Sequence, residues 1–221
     1  MQFDASLLGP SLRRLGDLIA KIPGDVAVCW LGVGVLGLVA DVAVRNVGGV
    51  AGGIWLVHGL VLTGVQIWIT REALLAAGYH PALTIANILS LYLLGILVSL
   101  GILLGLLLLV LPGLYVAARW YVAGTVMVLD GGGTGAAIWR AWDLLERHWL
   151  TALIIGILMA ALTVFPLLVD LSDAPDGGYA FARLLGLNLI SAAGIVGGYL
   201  AAVAILLSVD PALSEYREIF S

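Results

Sequence analysis

The chain has 221 residues; 62% are hydrophobic, 11% are charged, the formal net charge is −4 and the mean hydropathy is +1.13. Soluble domains carry about 25% charged residues, so this composition excludes an ordinary water-soluble globule and places the chain in the membrane class. The net charge says little about partners; what counts is where the charges sit, and no nucleic-acid partner is expected.

The pattern predicts a single transmembrane domain over residues 1–221. It is an all-α, polytopic membrane helix bundle with six transmembrane helices and two interfacial amphipathic helices. The first interfacial helix covers 6–22. Leu8, Leu12, Leu15, Ile19 and Ile22 share one face, while Arg13, Arg14, Asp17 and Lys21 lie off it, with i,i+4 pairs at Arg13–Asp17 and Asp17–Lys21. Pro10 suits the first turn, and Pro23-Gly24 stops the helix. Such a helix lies in the headgroup layer or packs on the end of the bundle, and the two roles are compatible. No cleavage pattern follows, so the first span is expected as a retained anchor.

That span, 26–44, holds the one cysteine, Cys29, which can make neither an internal disulfide nor a metal site. Gly32-Val-Gly-Val-Leu-Gly37 matches a dinucleotide fingerprint, but it sits mid-span with no strand before it. Small residues that let helices approach explain it, and no cofactor is expected. Asp41 closes this span. The second span, 50–70, contains His58 and Gln66. The third, 84–111, opens a stretch without charge from Thr84 to Ala118, and Leu100–Leu111 is hydrocarbon apart from Gly101 and Gly105. About 20 apolar residues cross roughly 30 Å of lipid as a helix. Pro112-Gly113 is expected to break the chain, and the fourth span, 114–129, carries Arg119.

Gly131-Gly-Gly-Thr-Gly135 lacks the Gly-Lys-Ser/Thr of a phosphate loop and reads as a link, although a helix opening there offers amides to a lipid phosphate. Thr134 is the expected N-cap of the second interfacial helix, 134–149. Ile138, Trp142, Leu145 and Trp149 form its apolar stripe; Arg140, Asp143, Glu146 and Arg147 are polar. The fifth span, 150–171, contains Pro166, which lies near its outer end and suits a kink. An acidic, turn-rich loop follows, and the sixth span, 184–209, contains Asn188. Gly101/Gly105 and Gly194/Gly198 are G-x-x-x-G pairs, expected at helix contacts.

Lys and Arg set the orientation. With the N-terminus in the cytoplasm, Arg13, Arg14, Lys21, Arg71, Arg140, Arg147 and Arg217 are inside. Arg45 and Arg183 are outside, with Arg119 just within the fourth span. That bias puts both termini in the cytoplasm. Arg13, Arg14, Lys21, Arg140, Trp142 and Trp149 are then the interfacial anchors.

Asp41, His58, Arg119 and Asn188 are the candidate site, because ionisable and polar groups in lipid are costly. All four fall in the outer half of the bilayer in this topology. One reading is an outward-opening polar site, with an Asp41–Arg119 ion pair and His58 as proton carrier or ligand contact. The other is structural: Asp41 pairs with Arg45, Arg119 snorkels, and His58 bonds a neighbouring helix. No general acid–base pair or metal spacing occurs, so catalytic and metal residues are none and no enzyme is expected.

The stretch Leu111-Pro-Gly-Leu-Tyr115, Arg119-Trp120, Asp130-Gly131 and Ala137-Ile-Trp-Arg-Ala-Trp-Asp-Leu144 resembles a bacterial membrane-protein family. This is the glycerophosphoryl diester phosphodiesterase membrane domain and its relatives of unknown function. The pattern is Pro-Gly-Ile-Tyr, Arg-Trp one turn on, an acidic residue with glycine, then Ala-Leu-x-Arg-Ser-Trp-x-Leu. Departures are Leu114, Asp130, Ile138 and Ala141. The resemblance implies a six-span bacterial inner (plasma) membrane protein, with Arg140 and Trp142 anchoring the surface helix and Arg119 fixed beneath the Pro-Gly turn near the outer headgroups. Some relatives carry a fused phosphodiesterase domain; none is expected here, so that activity is not carried over. The first functional expectation is a non-enzymatic accessory or assembly subunit, or a lipid-organising factor, acting through helix faces. Its partners would be membrane lipids and other membrane subunits or itself. The alternative is a small carrier of an amphipathic or lipid-like solute.

Overall fold

A computed structural model describes residues 7–47, 51–82, 88–108, 110–172 and 179–210, and every regular element among them is a helix. Five helices are long and apolar enough to cross a membrane, an architecture compatible with a multi-pass membrane protein. They are α2 (Pro23–Val47), α3 (Ala51–Ala76), α4 (Ile88–Leu108), α8 (Trp149–Ser172) and α9 (Tyr179–Val209). The other elements are short: α1 (Leu8–Lys21), α5 (Val110–Trp120), α6 (Ala123–Asp130) and α7 (Thr134–Leu144). The start of the third expected span, the acidic loop at 173–178, Arg217 and the side chain of Arg45 lie outside the described residues.

α9 is the centre. Of its apolar stretch 56% is buried, against 17–28% for the other four long helices. Its sequence explains this. Ser191-Ala-Ala-Gly-Ile-Val-Gly-Gly198 and Ala201-Ala-Val-Ala204 are small, so neighbouring backbones come close. α2, α8, α3 and α1 all pack on it. Gly34 and Gly37 of α2 face Leu189 and Asn188, and Trp30 Nε1 donates to Leu189 O at 2.8 Å. Elsewhere the long helices expose leucine, valine and tryptophan to their surroundings, Leu107 being 78% and Leu56 53% exposed. In lipid that exposure costs nothing.

α1 packs on α9 through Leu8, Ser11, Leu15, Leu18 and Ile22, with Leu12 and Ile19 left exposed at the edge of the stripe. Pro23 does not stop a helix so much as begin one: only Ile22 separates α1 from α2, and Pro23 occupies the first helical position, where its missing N–H has no partner to lose. α3 runs six residues past the expected end at Thr70. It closes on Gly78 at φ 89°, with Tyr79 N donating to Leu74 O and Gly78 N to Leu75 O, both at 2.9 Å; this is the Schellman closure that a left-handed glycine permits.

The expected fourth span, 114–129, is not one helix. α5 and α6 meet at Tyr121-Val122, where Tyr121 N reaches back three residues, to Ala118 O at 3.4 Å. No Pro or Gly stands at that joint. Side chains on either side hold it: Arg119 is buried against aromatic rings, and Tyr121 Oη donates to Gly198 O of α9 at 3.2 Å. Nor does the chain break at Pro112-Gly113, which lies inside α5. Pro112 sits in the first turn of α5, where proline is tolerated. Gly113 lies against Gly105, so that a Cβ on Gly105 would come within 2.7 Å of Gly113 Cα, and a Cβ on Gly101 would strike the Trp120 ring. α4 and α5 thus form a tight antiparallel hairpin. Thr134 does not cap α7: the N-cap is Gly133, and Thr134 Oγ1 donates to Ser90 O of α4 at 3.3 Å.

Gly194 rests on the α8 backbone, with Met159 O and Thr163 N 2.7 Å from where a Cβ would stand, whereas nothing comes within 4 Å at Gly64. Gly194→Ala is therefore expected to lower unfolding stability in detergent micelles by about 1–3 kcal/mol, the cost of overpacking. Gly64→Ala is expected to be neutral or slightly stabilising. Equal behaviour of the two variants would contradict the packing described here.

Candidate functional site

At the end of the bundle where α2 finishes and α9 begins, four helices leave a cavity of about 280 Å³. α2 supplies Gly37, Ala40 and Asp41; α3 supplies His58; α8 supplies Thr163 and Pro166; α9 supplies Leu184, Leu187, Asn188, Ser191 and Ile195. Gly37 makes it possible, because a side chain there would displace Asn188. Asn188 Nδ2 donates to Asp41 Oδ2 at 2.9 Å and to Leu184 O at 3.0 Å. His58 of α3 lines the same wall. Thr163 Oγ1 donates to Met159 O at 3.0 Å, and Ser191 Oγ to Thr163 O at 3.2 Å.

Three of the four polar residues picked out in the sequence, Asp41, His58 and Asn188, therefore meet. Arg119 does not join them, and the expected Asp41–Arg119 pair is not formed. The reason is the break in the fourth span. Arg119 lies two residues before Tyr121, whose hydroxyl reaches Gly198, about 15 Å of helix rise from Asn188. α5 then leans on α7 and the start of α8. There Arg119 is 3% exposed, with its guanidinium carbon 4.4 Å from the Trp142 ring centre and 5.5 Å from that of Tyr115, and Nη1 donates to Tyr115 Oη at 3.1 Å. Tyr115 packs edge-on to Trp142 and Trp149 at 5.6 and 5.3 Å. Arg119 is thus a stacked cation at the junction with α7, not a group snorkelling beneath the Pro-Gly turn.

The basic anchors are engaged by the protein as much as by any surface. Arg140 of α7 donates through Nη1 to Asp130, at the end of α6, and through Nη2 to Asp210, after α9, at 2.6 Å. Burial works against its charge, but the two carboxylates outweigh it and hold the guanidinium above its ordinary value. Lys21 Nζ donates to Ala76 O at 3.2 Å, capping the negative end of α3. Arg13 is exposed and Arg14 half-buried. Gly198 makes ordinary contact with Met159 and Tyr121.

Sequence reading missed Thr163 and Ser191 as part of the cavity, although both are polar groups inside apolar spans. It also missed Asp210, whose partner is 70 residues away. Among the described residues no group of three or more His, Cys, Asp or Glu converges. Compared with models of known protein families, with curated proteins and with solved structures, the chain has no match.

The Arg140 triad makes an ordered prediction. The Asp210 side chain is 4% exposed and that of Asp130 34%. Asp210→Asn is therefore expected to cost about 1–3 kcal/mol of unfolding stability, between surface and buried pairs, and Asp130→Asn clearly less, by the same micelle unfolding. The reverse order would mean that α7 is not held by Asp210.

Proposed function

We propose that the chain is a non-enzymatic membrane protein that binds and carries a small amphipathic or lipid-like solute. The observation that supports this reading is the convergence of Asp41, His58 and Asn188, from three different helices, on one cavity of about 280 Å³. Polar groups in a membrane interior are retained where they line a solute path. Proline in α8 at the cavity wall gives that helix a place to bend.

In this reading α1 and α7 lie at the cytoplasmic interface, both termini are inside and the cavity faces outward. The membrane is a bacterial inner membrane, in keeping with the resemblance to the phosphodiesterase membrane-domain family. A second reading, a lipid-organising or accessory subunit with lipid, protein or self partners, draws on the broad exposed faces of α2, α4 and α8.

Two measurements test the first reading. In a Cys29→Ser background, a membrane-impermeant maleimide applied to intact cells is expected to label a cysteine at Ala182 and not one at Asp17. In proteoliposomes, an acyl-labelled fluorescent phospholipid is expected to cross faster than in protein-free vesicles, and the His58→Ala/Asn188→Leu double variant should remove the gain. A rate equal to that of empty vesicles would leave the accessory reading in its place.

A further inference from the structure

The cavity has a consistent chemical sense. Asn188 has two N–H groups, and both are spent on Asp41 Oδ2 and Leu184 O. The Ser191 hydroxyl donates to Thr163 O and the Thr163 hydroxyl to Met159 O. An ionised Asp41 has no proton to give. What these four side chains can still offer a solute is lone pairs: the carboxylate, Asn188 Oδ1 and two hydroxyl oxygens. His58 is the remaining polar group on the wall.

The charge points the same way. Among the described residues that line it there are one carboxylate and neither Lys nor Arg; the side chain of Arg45, one turn beyond Asp41, lies outside the described residues. A neighbouring Arg119 would have made the site neutral, but it lies at the α5–α7 junction. Arg183, adjacent to Leu184 on α9, sends Nη2 to Val169 O at 2.8 Å, at the end of α8. An anion entering this cavity meets a negative charge and acceptors. A quaternary ammonium supplies charge but no donor. A primary ammonium supplies both, with three N–H groups, and the apolar walls suit a hydrocarbon stem. About 280 Å³ is on the order of nine water volumes, room for a headgroup and the first carbons of a chain.

The geometry points to a site for the protonated primary amine of an amphipathic solute. The ammonium is held by Asp41, Asn188 Oδ1, Thr163 Oγ1 and Ser191 Oγ, and the stem lies against Leu184 and Leu187. This deepens the carrier reading by naming its substrate class, and it rests on that reading only for the idea that the solute moves. The same chemistry comes from a free alkylamine or from an ethanolamine lipid headgroup.

The test is calorimetric titration and thermal unfolding of the full chain in phosphatidylglycerol nanodiscs. The probes are octylammonium, octanoate and octyltrimethylammonium. Octylammonium is expected to bind and raise the unfolding midpoint, octanoate to do neither, and the quaternary probe to bind at least about tenfold more weakly, as the loss of charge-assisted donors implies. Asp41→Asn should weaken octylammonium binding by about tenfold or more, while Asp41→Glu retains it. Should Asp41→Asn fail to fold, Thr163→Val is read instead, with a loss of roughly two- to tenfold. Adding phosphatidylethanolamine to the nanodisc either competes octylammonium away, naming the lipid headgroup as the source, or leaves binding intact, naming the free amine; both support the site. Octanoate binding as well as octylammonium, or variants that bind like the parent chain, overturns it. Specific binding without any flux in proteoliposomes leaves the amine site standing and removes the carrier reading alone.

Discussion

Close approach of helix backbones along α9 is the constraint on which the rest of this structure depends. In lipid no hydrophobic force drives apolar helices together, because hydrocarbon solvates leucine as well as another leucine does. Association must come from tight packing and from hydrogen bonds between spans. α9 supplies the first by carrying small residues on several sides at once. It takes part in the second through Asn188 to Asp41, Ser191 to Thr163 O and Tyr121 to Gly198 O. The other long helices each give one side to α9 or its neighbours and keep their leucines for the bilayer.

That division explains what the sequence made legible. Span existence follows from composition summed over about 20 residues, which no local contact can overturn, so the five long helices were readable. Gly34 and Gly37 of α2, Gly101 and Gly105 of α4 and Gly194 of α9 stand at close helix contacts, whereas Gly32, in the same motif as Gly34 and Gly37, has open space beside it. The α5–α6 joint was not. Residues 121–122 contain no helix breaker, and the joint is held by the Tyr121 hydroxyl on another helix and by Arg119 between Tyr115, one turn back, and the Trp142 ring, 23 residues later. Thr134 was misread for a related reason: its hydroxyl has a better partner in Ser90 O, 44 residues away, than in its own helix.

The candidate site was legible in its members and not in its grouping. Asp41, His58 and Asn188 stand out because each is expensive in lipid, and helical depth alone puts them near one level. Depth alone put Arg119 there too. What separates it is azimuth and the direction of α5, neither of which follows from counting residues along a span. The correction matters chemically. With Arg119 included, the polar residues make a balanced pair with no preference for the sign of a solute. Without it, the described lining carries one carboxylate and neither Lys nor Arg.

The two polar ends of α9 then differ in kind. At Asp210 a carboxylate meets a guanidinium that also holds Asp130, so both carboxylates are engaged within the protein and the cluster serves to fix α7 on the bundle. At Asn188, about 33 Å of helix rise away, amide and hydroxyl donors are consumed internally and lone pairs are left facing a cavity. An ion network closed within the protein rigidifies, because removing one member strands another. In the proposed reading, a cavity whose amide and hydroxyl donors are consumed while their oxygens remain is completed by a solute that brings donors of its own. A single central helix thus carries a polar cluster closed within the protein at one end and one that faces a cavity at the other, and this asymmetry is what separates the structural end from the end proposed to bind.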